Sequence, residues 1–122
     1  MDKIAKGKKG EAWAEDYLTK NGYIFLARNY RKRQGEIDLV MKDSKTGETV
    51  FVEVKARKNR DFGYPEEAVT ATKLRKLAKA AMLYLYEKKM EETPWRIDVV
   101  AIEVSSDPPK ITHLKNVTQN LF

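Results

Sequence analysis

Two stretches, Gly35-Glu36-Ile37-Asp38-Leu39-Val40 and Val50-Phe51-Val52-Glu53-Val54-Lys55-Ala56-Arg57, set charged residues inside apolar, β-rich runs. Ile37, Leu39 and Met41 alternate with Glu36, Asp38 and Val40; Val50, Val52, Val54 and Ala56 alternate with Phe51, Glu53, Lys55 and Arg57. Alternation of this kind predicts two half-buried strands. Charges in such runs are disfavoured unless they face water or do chemistry. The polar segment Asp43 to Gly47 lies between them and reads as the turn of a hairpin. With the turn centred near Lys45-Thr46, partner numbers sum to about 91 and Asp38 faces Glu53, their Cβ atoms about 4.5–5.5 Å apart. Lys55 and Glu36 share that face, and a slip of one residue would undo the whole arrangement.

Two facing carboxylates repel, so they need a cation, a shared proton or solvent. Mg²⁺ suits the first option, because it takes carboxylate, phosphate and water oxygens. Lys55 would then steady an attacking water or charge developing on phosphorus. The same residues also suit a solvated, salt-bridged sheet face. The spacing alone is weak: acid-x-lysine also occurs at Asp43-Ser44-Lys45 and Glu87-Lys88-Lys89. Only Glu53-Val54-Lys55 lies within an apolar strand.

Around this hairpin the chain reads as α-β-β-β-α-β-β. Lys3 to Asn21 is a helix closed by Gly22. Tyr23 to Tyr30, Glu36 to Met41 and Thr49 to Arg57 are strands. Leu74, Leu77, Ala78, Ala81 and Leu85 mark a second helix, which Thr70 or Thr72 could cap and Pro94 bars from continuing. Trp95 to Val104 and Ile111 to Leu114 are the last strands. The natural packing is an α/β domain, a mixed central sheet flanked by helices. No repeat or linker divides residues 1–122, and a chain of this length fits one domain.

Composition narrows the chemistry. There is no cysteine, which excludes disulfides and thiolate metal sites, and the lone His113 cannot build a multi-histidine centre. His113 reads as a surface or packing residue. No serine sits in a nucleophile elbow, and no glycine-rich phosphate loop is present. No run approaches membrane-spanning length and no signal-peptide segment follows the basic start, so the expected setting is soluble and cytoplasmic, with no membrane partner. A net charge of +6 suits a polyanionic partner, as it also suits a merely basic protein. Arg28, Arg31, Lys32 and Arg33 precede Gly35, and Arg57, Lys58 and Arg60 follow Lys55. With Tyr30, Phe62 and Tyr64 interleaved, they would form a rim that holds phosphates and stacks bases, or simply solvated loops.

An aspartate on one strand and Glu-x-Lys on the next, in an αβββαβ order, resembles the PD-(D/E)XK nuclease superfamily, which includes archaeal Holliday junction resolvases and type II restriction enzymes. More closely, the chain resembles the YraN family of uncharacterised bacterial proteins. Gly10-Glu11-x-x-Ala14-x-x-Tyr17-Leu18, Arg28-Asn29-Tyr30-Arg31, Gly35-Glu36-Ile37-Asp38-Leu39, Phe51-Val52-Glu53-Val54-Lys55-x-Arg57, Phe62-Gly63, Lys73 and Arg96-Ile97-Asp98-Val99-Val100 carry that likeness. The resemblance implies a restriction-endonuclease-like core. It carries catalytic roles onto Asp38, Glu53 and Lys55, with Ile37 standing where the superfamily's proline would be. It adds Glu11, from the first helix, to the metal ligands Asp38 and Glu53. By the same resemblance Lys73 is an active-site position; a phosphate contact or a snorkelling surface lysine both fit it. Asp98 reads as structural. The expected function is a Mg²⁺- or Mn²⁺-dependent endonuclease acting on structured or branched DNA, assembled as a two-fold homodimer if it resolves junctions. A non-catalytic nucleic-acid-binding module and an RNA-processing nuclease are the rivals.

Overall fold

The computed structural model describes residues 3–57, 70–105 and 107–118, with the side chains of the first helix described from residue 10 onward. The elements are α1 (Lys3–Lys20), β1 (Tyr23–Lys32), β2 (Gly35–Asp43), β3 (Thr49–Arg57), α2 (Ala71–Glu87), β4 (Trp95–Glu103) and β5 (Lys110–Leu114). The strands form one five-stranded sheet in chain order. Neighbours are antiparallel except β3 and β4, which run parallel and are joined through α2. A parallel pair cannot be closed by a tight turn, so the crossover carries a helix. This αβββαββ order is the α/β core that the resemblance implies. Among the described residues no helix is long and apolar enough to cross a membrane.

Alternation along β3 assigns the two faces of the sheet. Phe51 packs beneath α2 with Val40, Leu74, Leu77, Tyr84 and Ile97. Val50 and Val52 point the other way, into a cluster with Ala14 and Leu18 of α1, Tyr23, Leu39, Met41, Val100 and Ile102. Glu53 and Lys55 continue the Phe51 parity, so they emerge on the α2 face where the apolar layer ends. Thr70 caps α2, its side-chain oxygen accepting from the Lys73 backbone N–H at 3.2 Å.

The first hairpin is tighter than the sequence suggests. Lys32 pairs with Gly35, which leaves only Arg33-Gln34 as the turn and places Arg31 and Lys32 in β1 rather than in a loop. Two glycines allow close approaches. A Cβ on Gly10 would sit 2.9 Å from the Ala56 Cβ, so α1 crosses β3 in near contact. A Cβ on Gly35 would sit 2.8 Å from the backbone oxygen of Lys76, where the hairpin meets α2. Since backbone cannot swing aside like a side-chain end, Gly35→Ala should cost about 1–3 kcal/mol, read as a lower denaturant midpoint at unchanged slope.

Candidate functional site

The β2–β3 ladder pairs Lys42 with Thr49, Met41 with Val50, Val40 with Phe51 and Leu39 with Val52, each pair summing to 91. This is the register that a turn centred near Lys45-Thr46 predicts. The ladder stops one step short of Asp38 and Glu53. There the Asp38 carboxylate replaces a backbone acceptor, its Oδ2 taking the Val54 N–H at 2.7 Å. Ending the ladder opens a cleft of about 630 Å³ against the first turns of α2. Asp38, Glu53, Glu36 and Lys55 line it from the sheet, Lys32 and Arg33 from the first hairpin, and Lys73 and Lys76 from α2. Its cations outnumber its carboxylates.

Electrostatics ties these groups together. Burial, and then the charge of Glu53, push the Asp38 carboxyl from 3.8 up to about 7. Glu53 is compensated instead: its Oε1 meets Lys55 Nζ at 3.3 Å and Lys73 Nζ at 3.1 Å. Burial and the adjacent Lys73 hold the Lys55 ammonium below its ordinary range. The salt-bridged face that competes with a metal site is thus realised at Glu53 and not at Asp38.

The structure does not bring every expected residue here. Glu11 lies on the α1 side of the sheet, in a separate cleft of about 540 Å³ with Glu15, Arg28 and Asn29. Burial raises its carboxyl despite Arg31 and Arg28 nearby, and it acts on Asp38 only through space. Among the described residues no three histidine, cysteine, aspartate or glutamate side chains gather as a metal-holding group. Arg28 bonds Glu15 at 2.9 Å and Arg31 lies 3.4 Å from Glu36, so both are engaged within the protein. Arg33 borders the Asp38 cleft and Arg57 ends β3 half-buried. Lys58, Arg60, Phe62 and Tyr64 lie outside the described residues. Tyr30 offers no base-stacking rim: it is buried, packs edge-on to Tyr84 and donates to Glu87. Its position facing α2 in β1 is the reason. Lys76 was not singled out in the sequence, although it stands one helical turn after Lys73 on the same face.

Residues 10–102 match the model of the family described as Uncharacterised protein family UPF0102. The chain belongs to UPF0102. This is the family that the sequence resembles under the name YraN. It is 50% identical to a UPF0102 protein of Symbiobacterium thermophilum over 101 residues, 83% of this chain and 84% of that one. It is 45% identical to one from Colwellia psychrerythraea, over 91% of this chain and 86% of the relative. A Geobacter metallireducens relative is 44% identical over 90% of this chain and 88% of its own.

This UPF0102 chain holds a second polar cluster, on the α1 face and apart from the cleft. Asp98, fully buried, accepts from Arg96 Nε at 2.9 Å and the Asn116 N–H at 2.9 Å, and lies 2.8 Å from His113 Nε2. Arg96 reaches on to Asp43 at 3.0 Å, Glu48 at 2.7 Å and the Tyr23 hydroxyl at 2.9 Å. Burial opposes the charge on Asp98, but hydrogen bonds from His113 and Arg96 hold its carboxyl below the ordinary range. Among the described residues no buried side-chain nitrogen or oxygen lacks a partner. Asp98 sits in a structural network, and His113 is more than the surface or packing residue its sequence suggests, since its Nε2 meets Asp98 and its Nδ1 lies 3.3 Å from the Tyr17 hydroxyl. Arg96 is the hub that sequence reading missed, since its acceptors lie 48 and 53 residues away.

Proposed function

We propose that this protein is a nucleic-acid-binding, metal-dependent endonuclease that hydrolyses phosphodiester bonds in structured or branched DNA. One observation carries the reading: Asp38 and Glu53 come together where the β2–β3 ladder ends, in a cationic cleft with Lys55 beside them. A divalent metal fits this donor set. Asp38 is a half-buried carboxylate whose ionisation is resisted by burial and by Glu53, so a cation between the two would relieve what the protein alone leaves uncompensated. Mg²⁺ commonly uses one or two protein carboxylates, with water and phosphate oxygens completing its shell, so two suffice. Asp38 and Glu53 would hold the ion, which supplies Lewis acidity at a phosphate oxygen and a lowered pKa for its water. Lys55 presents its ammonium to the attacking water or to charge gathering on the non-bridging oxygens. Lys73, Lys76 and Arg33 hold flanking phosphates and fix the strand's position. A branched substrate cut twice needs two such sites, which favours a two-fold dimer.

The separate position of Glu11 supports a second reading, a nucleic-acid-binding module of a repair or processing complex that does not cut. A cleavage screen with Mn²⁺ over duplex, flap, four-way junction and structured RNA separates the readings. The expected result is metal-dependent nicking of branched DNA. Asp38→Asn and Glu53→Gln should each lower the rate by more than the roughly 10–100-fold that loss of a supporting residue costs, with binding retained. Mutants that cut at the wild-type rate would remove the metal-site assignment. Binding without cleavage in the wild type would establish the module, and preference for RNA the RNA-processing alternative.

A further inference from the structure

We propose that Lys73 is a positioning residue that locks Glu53 until a substrate phosphate draws its ammonium away, so that divalent metal and nucleic acid enter the cleft cooperatively. The inference rests on the endonuclease reading and goes beyond it, to the order in which the site assembles.

The geometry is asymmetric. Asp38 takes a backbone N–H, whereas a single oxygen of Glu53 takes two ammonium groups, at 3.3 Å from Lys55 and 3.1 Å from Lys73. The Glu53 side chain is only 14% exposed, so solvent screens these contacts poorly. Their origins differ. Lys55 stands two residues along the same strand and the same face, so it stays beside Glu53 whatever else binds. Lys73 comes from the first turn of α2, on a flexible four-carbon stem, and its side chain is 35% exposed toward the cleft. It can turn from carboxylate to phosphate without moving the backbone.

A divalent ion approaching Asp38 and Glu53 meets both ammonium groups at close range, and they oppose it. A phosphate entering the same cleft attracts Lys73, since a lysine ammonium serves phosphate as a compact point charge. Once Lys73 turns to it, Oε1 of Glu53 keeps only Lys55 and one repulsive cation is neutralised. Metal then binds more tightly with nucleic acid present, and by linkage nucleic acid binds more tightly with metal present, by the same factor. Lys73 therefore acts with opposite sign on the two ligands, a signature that a lysine serving only stability or only phosphate binding would not produce.

Calorimetric titration of Mn²⁺ into wild type, Lys73→Gln and Lys73→Arg, with and without a phosphorothioate-linked DNA junction that resists cleavage, tests this. Without DNA, Lys73→Gln should bind Mn²⁺ roughly 5-fold or more tightly than wild type. Its affinity for the junction should fall, and the factor by which the junction improves Mn²⁺ binding should shrink toward one. Lys73→Arg, which keeps the charge, should stay close to wild type, and thermal melts establish that each variant is folded. Unchanged or weaker Mn²⁺ binding by folded Lys73→Gln would overturn the lock while leaving the endonuclease reading in place. A wild type that takes no Mn²⁺ with or without DNA would sink both.

Discussion

In metal-free buffer the protein should lose stability as pH rises from about 4 to about 7, and Asp38→Asn should abolish that loss. The Asp38 carboxyl titrates near 3.8 in the open chain and at about 7 in the fold, burial being the largest cause and Glu53 the next. A raised carboxyl pKa means that the folded state binds more protons than the unfolded state between those values, so unfolding free energy falls with pH across that window and levels off above it. A shift of this size corresponds to roughly 3–5 kcal/mol. Asp98 and Asp43 run the other way. Burial opposes their charge, yet hydrogen bonds hold both carboxyls low, so their contribution is present above the ordinary carboxylate range and is lost as acid titrates them below about pH 4. Stability should therefore peak near pH 4–5. Saturating Mn²⁺ bound only by the folded state should lift the neutral limb in wild type, by RT ln(1 + [metal]/Kd), and not in Asp38→Asn. Melts across pH at matched ionic strength, with and without Mn²⁺, read all of this. A wild-type profile flat between pH 5 and 7 would mean that Asp38 stays charged in the fold without help.

The second large effect lies away from the cleft. Asp98→Ala should destabilise the protein by about 3–5 kcal/mol, because this one buried carboxylate serves Arg96, His113 and the Asn116 N–H, and each buried group left short of a partner costs about 1–3 kcal/mol even though Arg96 keeps Asp43 and Glu48. For a domain of this size that is a melting temperature lower by roughly 10–20 °C. Arg96 loses the acceptor 2.9 Å from its Nε, His113 loses the acceptor 2.8 Å away and the Asn116 N–H goes unpaired. Arg96→Met should be comparably costly, since it takes the balancing cation from the buried Asp98 and Asp43 together. The double variant should cost less than the sum, by about 1–3 kcal/mol, because the second change removes a group the first had already left unpaired. Additive losses would show that Arg96 and Asp98 do not act as one unit. Neither variant should alter cleavage by the folded fraction, because this network lies under α1 and the cleft lies under α2.

Much of the cleft is legible in the chain because β geometry is local. A polar turn between two alternating runs specifies the register, and a period of two puts Glu53 and Lys55 on the Phe51 face; in β2 the alternation breaks at Asp38, since Ile37 packs on the α2 side and Leu39 on the α1 side. Likewise a threonine at 70 or 72 and the Leu74-Leu77-Ala81 spacing announce α2 and its inner side, and the structure takes Thr70 as the cap. Where the reading fell short, the missing information was long-range. Arg31 and Lys32 sit in β1 because pairing with Glu36 and Gly35 extends the strand into a two-residue turn, a preference their own side chains do not express.

By itself, then, the sequence determined the elements, the β2–β3 register and the placing of Glu53 and Lys55 on one sheet face, all consequences of contacts between near neighbours in the chain. Only the tertiary structure decided which helix covers that face. The parallel β3–β4 pair carries α2 over Phe51, brings Lys73 to Glu53 and sets Lys76 on the same cleft, while α1 packs on the Val50–Val52 side and keeps Glu11 in a separate cleft. It also buried Tyr30 against Tyr84 and joined Arg96 to Asp43, Glu48 and Asp98. Those outcomes depend on how whole layers stack to bury apolar area, and no local pattern of charge or periodicity encodes which distant polar groups will be left facing one another when they do.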